Sequence, residues 1–449
     1  MKRKIFSMIL SCIIVSLVVC SSVAPTYAAN YKNKVKLQSE SALIVNMDTG
    51  QTVYEVKANK KMYPASTTKI MTYIVVAESI EDFENTMVEI KKPVLDTLLG
   101  TGSSVANVAA HVGEEMSVID LLYSMMVPSG NDAAVVLADY VGQGDISKFV
   151  DMMNKKAKKL GCNDTHFTNP DGLHDKDHYT TATDLYKMTK YALTLPKFAE
   201  ITDTATYYVE GDTYPLVTTN YMIDENRGGE YFYTYAKGIK TGTTDEAGHC
   251  LVTSASADGY SYIGVFLNSP INHEHDVYGT MIDAKELFRW ALTSLELSPV
   301  ATKETPICEQ KLNLAWGKDS IHLVPESNIN AIVPKGFKEK DIKIVKDIPE
   351  SIDAPVAEGD IVGKAKVYYV GDGAEGKQLI GTVNLVSGET VERSGILYVL
   401  DVIKSIVASP WFYLVICIII VLLIIYIIVS SVIRHRNKKR RGVRRYRNF

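Results

Sequence analysis

The chain has 449 residues, a formal net charge of −4, and 46% apolar residues. This length exceeds one ordinary domain, and the composition is that of a folded protein rather than of a disordered one. The charge is uneven, because residues 434–449 hold nine Lys and Arg and no acid. Nucleic-acid binding requires its basic surface on the folded domain, so a short basic tail on an acidic body argues against a nucleic-acid partner.

The N-terminus has the pattern of a secretory signal. Three basic residues precede an apolar run over residues 5–23, and the small residues Thr26 and Ala28 follow. This pattern predicts a signal peptide over residues 1–28 that is cleaved before Ala29. An uncleaved anchor helix is the alternative, and both interpretations predict export of the body.

A second apolar segment, residues 411–433, carries no charge and is long enough to span a bilayer with some tilt. The basic cluster 434–449 begins directly after it. The excess of positive charge predicts a cytoplasmic tail, with residues 29–409 outside the cell. An amphipathic surface helix is disfavoured, because this segment is apolar on every side. We therefore expect a single-pass protein of the cell membrane.

The exported part begins with a pattern of strands and helices. Residues 42–46 and 52–55 predict a hairpin around Asp48-Thr49-Gly50. Helical periodicity then predicts helices over residues 66–79, 118–127, 132–141, 149–160 and 183–193. Strand patterns follow over 238–241, 250–255 and 262–267, and a last helix over 278–295. Helices flanked by strands from both ends predict an α/β body over residues 29–298.

The pattern changes after Ser298-Pro299. Short alternating segments over 321–324, 342–345 and 366–370 are separated by Pro, Gly and Asp. They predict a small all-β domain over residues 299–395. Residues 396–410 are expected to form a helical stalk that leads into the membrane.

Three short motifs occur in a fixed order: Ser66-Thr67-Thr68-Lys69, Ser129-Gly130-Asn131 and Lys240-Thr241-Gly242. Each is weak alone, because such patterns recur by chance. Their occurrence together, each on a suitable element of an exported protein, is a strong indication of a serine acyl-transfer enzyme.

In the first motif, Ser66 and Lys69 stand three residues apart on one helical face. A serine hydroxyl needs a neighbouring base, and a lysine serves when desolvation or a second cation, here Lys240, lowers its pKa. The helix N-terminus would direct backbone N–H groups towards an oxyanion. Taken alone, Ser66 would be interpreted as a helix cap and Lys69 as a solvated charge.

In the second motif, Ser129 could relay a proton between the lysines and the leaving amine. Asn131 could hold the amide backbone of the substrate. The alternative is ordinary capping of the following helix, with Asp132 as an acid in the first turn.

In the third motif, Lys240 and Thr241 would hold a free substrate carboxylate. Gly242 would let an extended peptide approach the strand closely. The N–H of Thr243 would be the second oxyanion donor beside that of Ser66. The alternative is an ordinary strand end.

With residues 63–65, 131–134 and 169–173, these motifs resemble D-alanyl-D-alanine carboxypeptidases, the low-molecular-weight penicillin-binding proteins. The resemblance covers about residues 35–295 and continues weakly through 354–363. It implies a β-lactamase/transpeptidase-like α/β fold, with an antiparallel sheet and a helical lobe, beside the all-β domain and the transmembrane helix. The anchor departs from the family's, which is often an amphipathic helix lying on the membrane.

The resemblance also implies the chemistry. Ser66 would attack the bond between the two terminal D-alanines of a peptidoglycan pentapeptide stem, release D-alanine, and form an acyl-enzyme that water hydrolyses. Beta-lactams would acylate the same serine. The pattern implies no cofactor and no metal.

Two groups of histidines could suggest other chemistry. His273-Glu274-His275-Asp276 lacks zinc-site spacing, so we expect a polar surface loop. His166, His174 and His178 could suggest a serine–histidine pair, but Lys69 already supplies a base, and we expect them to be structural.

Three other functions remain as alternatives. A DD-endopeptidase would cut cross-links with the same residues. A class A beta-lactamase would require a Glu-x-x-x-Asn stretch, and none occurs between the second and third motifs. A non-catalytic wall-binding protein is disfavoured by the intact motifs.

Overall fold

The computed structural model describes residues 30–272 and 277–445, with side chains described up to Arg436. The predicted signal segment, 1–28, and the His273–Asp276 stretch lie outside these ranges. The described helices are α1 Lys69–Ser79, α2 Lys92–Leu95, α3 Val118–Met126, α4 Asn131–Gly142, α5 Ile146–Lys159, α6 Ala182–Ala192, α7 Phe198–Thr202, α8 Gly279–Ser294, α9 Gly395–Ala408 and α10 Pro410–Arg445.

The described strands fall into an N-terminal, a central and a C-terminal group. They are β1 Ser41–Asn46, β2 Thr52–Val56, β3 Met87–Glu89, β4 Glu115–Ser117, β5 Thr206–Tyr207, β6 Leu216–Val217, β7 Ala236–Thr244, β8 Gly248–Ala257, β9 Tyr260–Ser269, β10 Leu295–Ala301, β11 Cys308–Asn313, β12 Ser320–Pro325, β13 Ile329–Pro334, β14 Ile342–Asp347, β15 Ile352–Asp353, β16 Ile361–Tyr369 and β17 Gln378–Ser387.

The main sheet has five strands in the order β2-β1-β9-β8-β7. Its pairings are antiparallel, including β1 with β9 from Ser41 opposite Leu267 to Asn46 opposite Tyr262. The predicted assembly of one sheet from N-terminal and C-terminal strands is therefore confirmed. Because β7 is the last strand in this order, one of its edges is unpaired within the sheet.

The core lies between this sheet and the helices. Helix α1 is buried from Lys69 to Val76 and packs against α4, α5 and α6, while α8 packs against β8 and β9. Most residues of α1 are apolar, and Ile70, Met71 and Ile74 have no exposed surface. A helix buried on all sides is held rigidly by packing, so it gives residues at its N-terminus a fixed position.

The chain divides into two compact units. The first contains the described residues up to Val300 with Ile329–Val345 and Lys366–Gly381. The second contains Ala301–Asn328, Lys346–Ala365 and the described residues from Thr382 onward. In the second unit, β12 pairs with β11 and β17 in antiparallel register, and β15 lies parallel to β11. The C-terminal region is thus rich in strands, as predicted, and the detailed domain boundaries stay a prediction.

Two helices end the described chain. Helix α9 carries exposed apolar side chains such as Ile396, Ile403 and Ile406. Within α10, the 27 residues Pro410–Arg436 form a helix long and apolar enough to cross a membrane, and no part of its apolar segment is buried in the protein. This agrees with membrane anchoring through the C-terminus.

Candidate active site

The first motif lies on a tight turn at the start of α1. Residues Ala65–Thr68 form a 3-10 turn, and the α-helix begins at Lys69. This differs from the predicted helix start at Ser66. Ala65 has a φ of 46°, a left-handed conformation that is unfavourable for a residue with a side chain. Side chains three residues apart eclipse one another in a 3-10 turn, which brings Lys69 directly to Ser66.

Lys69 is completely buried and makes three close contacts. Its Nζ atom lies 2.9 Å from Ser66 Oγ, 2.5 Å from Asn131 Oδ1 and 2.7 Å from the backbone oxygen of Asp171. Burial lowers the pKa of Lys69 to about 8, although the carboxylates of Asp171 and Asp132 act in the opposite direction. An amine with this pKa is partly neutral at neutral pH, as a general base requires.

The second motif brings Asn131 to the same amine. Its Oδ1 faces Lys69, and its Nδ2 donates to Ser103 Oγ at 3.1 Å. Ser129 precedes it with a left-handed φ of 68° and is almost fully buried. Strained backbone in a cleft is often associated with function, because only a well-packed surrounding structure keeps it.

Asp132 has a role that sequence reasoning missed. Instead of acting only as a first-turn acid, its buried carboxylate accepts the N–H of Ala106 at 2.9 Å and that of Val108 at 3.1 Å. The N–H of Asn131 also donates to the oxygen of Ser104 at 2.9 Å. These bonds place the Ser103–Ser104 segment beside the nucleophile. The position of Asp132 directly after Asn131 in the sequence does not indicate that its carboxylate bonds to residues 106 and 108.

The third motif lies on β7, the edge strand. Lys240 is 1% exposed, and its Nζ donates to the oxygen of Thr241 at 3.1 Å. Burial, with repulsion from Lys69 as a smaller cause, lowers the pKa of Lys240. The hydroxyl of Thr241 lies 2.5 Å from that of Thr219, another residue that sequence reasoning did not identify. We expected Lys240 to lower the pKa of Lys69, but burial is the main cause for both amines.

Gly242 packs directly against the nucleophile turn. A Cβ atom at this position would lie 2.8 Å from the Ser66 nitrogen and 3.0 Å from the Pro64 oxygen. The strand therefore requires glycine because the protein's own backbone fills this space. This reason differs from the predicted one, the close approach of a substrate peptide. Thr243 follows as an exposed residue of the same strand, with its hydroxyl 3.0 Å from His249 Nδ1.

A loop before α6 completes the surroundings of Lys69. Its Asp171 oxygen accepts from Lys69, and the Pro170 oxygen accepts from Thr72 Oγ1 at 2.5 Å. Gly172 has a φ of 89°, and a Cβ there would lie 2.0 Å from the Ala65 oxygen. Only glycine fits this contact, so the loop and the nucleophile turn lock together.

His178 fastens the same loop and is not part of a catalytic pair. Its Nδ1 accepts the N–H of Thr168 at 3.1 Å, so its other nitrogen, Nε2, faces the Thr68 hydroxyl at 2.8 Å as the donor. Burial lowers the pKa of His178 to about 4. A neutral, fully bonded histidine agrees with the structural role expected from the sequence.

The motifs meet at a cavity of about 270 Å³. Ser66, Ser129, Thr241, Gly242 and Thr243 line it, so the structure brings five of the eight predicted residues to its surface. The buried Lys69 and Asn131 stand behind Ser66, and Lys240 lies within β7. Residues of the cavity that the sequence analysis did not identify are Ser104, Val217, Thr218, Thr219, Tyr221, Arg227, His249, Cys250, Tyr278, Thr280 and Met281.

The cavity contains one thiol beside the serine. Burial raises the pKa of Cys250 to about 12, so this thiol is protonated at neutral pH and does not compete as a nucleophile. Within the described ranges, no group of three or more His, Cys, Asp and Glu side chains is placed to hold a metal ion. The predicted surface loop at His273–Asp276 lies outside those ranges.

This geometry defines a class of protein: a serine enzyme in which a buried lysine contacts the nucleophile at the edge of an antiparallel sheet. Comparison with known proteins specifies the class further. The family model for D-alanyl-D-alanine carboxypeptidase matches residues 28–270, and that for the C-terminal domain of penicillin-binding protein 5 matches residues 296–393. The first match spans more than half of the chain.

Relatives agree over most of the chain. It is 31% identical over 330 residues to the D-alanyl-D-alanine carboxypeptidase DacF of Bacillus subtilis, which covers 73% of this chain and 80% of that protein. The crystal structure of the carboxypeptidase DacD from Francisella tularensis is 25% identical with a TM-score of 0.63, covering 84% of this chain and 98% of that one. The Streptomyces K15 DD-transpeptidase is 29% identical with a TM-score of 0.52, covering 58% and 98%.

The chain therefore belongs to the D-alanyl-D-alanine carboxypeptidase family. It is a serine-type peptidase with the fold of the penicillin-binding proteins, and the predicted family, fold class and enzyme class are confirmed.

Proposed function

We propose that Ser66 attacks the carbonyl carbon between the two terminal D-alanines of a peptidoglycan pentapeptide stem. The contact of Lys69 Nζ with Ser66 Oγ at 2.9 Å carries this proposal. A hydroxyl at that distance from an amine of lowered pKa is within hydrogen-bond reach of a general base.

The hydrogen-bond acceptors around Lys69 determine which atom the lone pair of its amine faces. A neutral amine has two N–H donors and one lone pair. The oxygens of Asn131 and Asp171 accept, so they engage the two N–H groups, and the lone pair is left for Ser66. Lys69 therefore takes the hydroxyl proton as Oγ bonds to the carbonyl carbon. Asn131 would also hold the substrate amide.

Ser129 is the group that returns the proton. It lines the cavity beside Ser66, so its hydroxyl can pass a proton from the lysines to the leaving nitrogen. The C–N bond breaks as that nitrogen is protonated, which releases D-alanine and leaves the acyl group on Ser66. Water then hydrolyses the ester, and no cofactor enters any step.

The oxyanion of the tetrahedral intermediate needs two donors. The N–H groups of Ser66 and Thr243 are our candidates, because Gly242 packs against the Ser66 nitrogen and so brings the following peptide bond to the same turn. Such preorganised donors stabilise the charge that develops in the transition state.

The substrate would bind as an extended strand. The unpaired edge of β7 can accept a peptide through backbone hydrogen bonds, as in other strand-addition complexes. Lys240 and Thr241 would hold the free carboxylate of the terminal residue at one end of this strand. Beta-lactams would acylate Ser66 because they mimic the same dipeptide.

The alternatives receive less support. A DD-endopeptidase would use the same residues and differs only in the bond cut, so linear and cross-linked stems must be compared. A beta-lactamase would release penicillin rapidly. The loop Asn169–Leu173 supplies a backbone oxygen to Lys69 and no glutamate for a water, which favours slow release. A non-catalytic wall protein would not require the lowered pKa of Lys69.

For localisation, we infer a single-pass membrane protein. Helix α10 would cross the bilayer, residues 434–449 would lie in the cytoplasm, and the catalytic domain would face the cell wall. The same inference includes the domain boundaries. The signal peptide would end at residue 28, the catalytic domain at 298, the all-β domain at 395, the stalk at 410 and the transmembrane helix at 433. The partners would be the membrane and peptidoglycan stems.

Labelling with a fluorescent penicillin tests the central claim. We expect the full-length wild type in detergent to form a stable covalent adduct and Ser66→Ala to form none. Ser147→Ala, which changes an exposed serine on α5, is the matched control and should label like the wild type. A wild type without label, or a labelled Ser66→Ala variant, would contradict the assignment.

A further inference from the structure

An exposed tryptophan lies at the tip of a hairpin in the second compact unit. Trp316 belongs to the loop between β11 and β12, and 74% of its surface is exposed. Its neighbour Ala315 is buried, so the loop directs Trp316 outward. A single exposed apolar residue is common on protein surfaces and indicates nothing by itself. The segments around this loop therefore decide whether the exposure is significant.

The hairpin loop is bonded to the start of α9. The backbone oxygen of Leu314 accepts the N–H of Ser394 at 2.7 Å, and Ser394 is the N-cap residue of α9. On the other side of the tip, Lys318 forms an ion pair with Glu389, which lies between β17 and α9. All of these residues belong to the second unit. The position of Trp316 is therefore fixed relative to the N-terminal end of α9.

Helix α9 has an apolar stripe that the described part of the chain does not cover. None of its 14 residues is buried among the described residues. The stripe follows the helical period and consists of the exposed residues Ile396, Val399, Leu400, Ile403, Ile406 and Val407. Asp401, Lys404 and Ser405 lie on the opposite face. Because apolar surface of this extent is unfavourable in water, another surface must cover the stripe.

The continuity of the chain identifies the bilayer as that surface. Helix α9 ends at Ala408, and α10, which is long and apolar enough to cross a membrane, begins at Pro410. Between them Ser409 has an extended backbone, with φ −71° and ψ 134°, so the two helices do not form one continuous rod. A helix with one apolar side that adjoins a membrane lies along its surface, with the apolar side towards the acyl chains.

The orientation of α9 determines how far the hairpin lies from the bilayer. A helix of 14 residues is about 21 Å long. If α9 stood upright, its apolar stripe would lie in water and Trp316 would be held away from the membrane by this length. If α9 lies along the membrane, the loop that is bonded to its N-cap reaches the lipid headgroups. The apolar stripe favours the second arrangement.

The chemistry of the residues around the N-cap also suits a membrane surface. An indole has an apolar ring and one N–H donor, and tryptophan is enriched at the boundary between acyl chains and headgroups. Arg393, which directly precedes the N-cap, has its guanidinium carbon 4.0 Å from the ring centroid of Tyr398. Arginine covers apolar surface with its stem while its charge stays in the polar layer. The loop and the start of α9 thus combine aromatic rings with a cation.

We propose that the loop Leu314–Lys318 is a membrane contact of the C-terminal domain, in which the ring of Trp316 enters the headgroup region of the outer leaflet. The partner is the phospholipid bilayer that α10 crosses. The inference rests on the inferred membrane span and does not depend on the acylation of Ser66. The alternatives are a loop that lies in water and a loop that is covered by a second copy of the chain or by another protein.

Tryptophan fluorescence in lipid vesicles tests this contact, because the chain has only three tryptophans. The full-length protein is reconstituted in vesicles of phosphatidylcholine, with or without bromine atoms on the acyl chains close to the headgroup. Bromine quenches the emission of an indole only at short range. The double variant Trp290→Phe with Trp411→Phe retains Trp316 alone. We expect its emission to be quenched in the brominated vesicles and to have its maximum at a shorter wavelength than that of tryptophan in water.

The other two tryptophans are matched references, each retained alone in its own double variant. Trp411 lies in the first turn of α10 and should be strongly quenched. Trp290 lies on α8 in the first unit, where its ring centroid is 6.3 Å from that of Tyr54, and should retain its emission. We expect the fraction of emission that Trp316 loses to be close to that of Trp411.

A single substitution separates the result from any effect on folding. The difference in quenching between the wild type and Trp316→Phe reports the same contact, and this variant changes only one exposed residue. Thermal unfolding followed by circular dichroism verifies that each variant folds like the wild type.

The outcomes are distinguishable. If Trp411 is quenched and Trp316 is not, the inference is overturned. Emission of Trp316 at long wavelength would then show a loop in water, and emission at short wavelength would show that a protein, such as a second copy of the chain, covers it. If Trp411 is not quenched either, the membrane span is wrong and the inference fails with it. Neither result affects the labelling of Ser66 by penicillin, which tests the proposed function separately.

Discussion

The Nζ atom of Lys69 lies 2.7 Å from the backbone oxygen of Asp171, a residue 102 positions later in the chain. This contact joins the helix of the nucleophile to the loop before α6. The partner is the peptide carbonyl, while the nearby carboxylate of Asp171 acts on the amine only through its charge. A backbone acceptor has the same geometry whatever the side chain, so the loop conformation controls the orientation of the base.

Removing the amine tests the base directly. We expect Lys69→Met to reduce the rate constant for acylation by penicillin about 10²- to 10⁴-fold, the usual contribution of a general base. Thermal unfolding followed by circular dichroism verifies that the variant folds. Lys148→Met, at an exposed position on α5, is the control and should acylate normally. A folded Lys69→Met protein with the wild-type rate would exclude Lys69 as the base.

The pH dependence follows from the lowered pKa of Lys69. The neutral amine is the active form, so acylation should rise with pH and level off above about 8. Asp171 raises the pKa of Lys69, and Asp171→Asn retains the backbone carbonyl while removing this charge. We expect its profile to shift to lower pH.

The control for this shift is Asp177→Asn, which changes an exposed acid in the same region. Its profile should match that of the wild type. A shift of Asp171→Asn to higher pH would contradict the stated coupling between the two groups.

Gly242 tests the contact between β7 and the nucleophile turn. Gly242→Ala places a Cβ 2.8 Å from the Ser66 nitrogen, so the strand or the turn must move. A displacement of this kind at a reacting centre can cost about 10²-fold in rate, and we expect at least a 10-fold loss of acylation. Gly142→Ala, whose added Cβ would lie 3.6 Å from Phe149, should retain the wild-type rate. Full activity of Gly242→Ala would show that the site tolerates this movement.

His178 should make stability depend on pH. Its pKa is about 4 in the folded protein and about 6.5 when unfolded, so the unfolded chain binds more protons between these values. The contribution of His178 to the free energy of unfolding is therefore complete above pH 6.5 and is lost as the pH falls through 4. The full shift corresponds to about 3 kcal/mol of unfolding free energy.

His178→Gln retains a donor and an acceptor but does not titrate. We expect it to lose less stability than the wild type between pH 7 and pH 4, measured by urea unfolding, and to acylate at a similar rate at neutral pH. An equal loss in both proteins would show that His178 does not cause the acid sensitivity. A large loss of acylation would reopen a catalytic role for this histidine.

Local patterns predicted much of the fold. The hairpin, the helices around residues 118–127 and 183–193, and the strands of the third motif were found near their predicted positions, because hydrophobic periodicity reports which face is buried. The start of the first helix was misplaced by three residues. Hydrophobic periodicity cannot separate a 3-10 turn from the first turn of an α-helix, since the two differ in their backbone hydrogen bonds. Here the N–H of Thr67 donates to the oxygen of Pro64, and the N–H of Lys69 donates to the oxygen of Ser66.

The cavity residues outside the motifs were not predictable in this way. The backbone oxygen of Ser104 accepts the N–H of Asn131, and the side chain of Arg227 is held by Asp224 and Thr218. Ser104 and Arg227 are ordinary loop residues when read in order along the chain. Only their positions in three dimensions distinguish them.

By itself, the sequence determined the order of the three motifs, the apolar segment for the membrane and the chemical groups available to the site. Those properties depend on residue type and local spacing. Only the tertiary structure shows that the backbone oxygen of Asp171 accepts a hydrogen bond from Lys69. Only the tertiary structure shows that residue 242 must be glycine because a Cβ atom there would clash with the Ser66 nitrogen. Each of these depends on close packing between segments far apart in the chain, where a shift of one ångström removes a hydrogen bond or creates a clash.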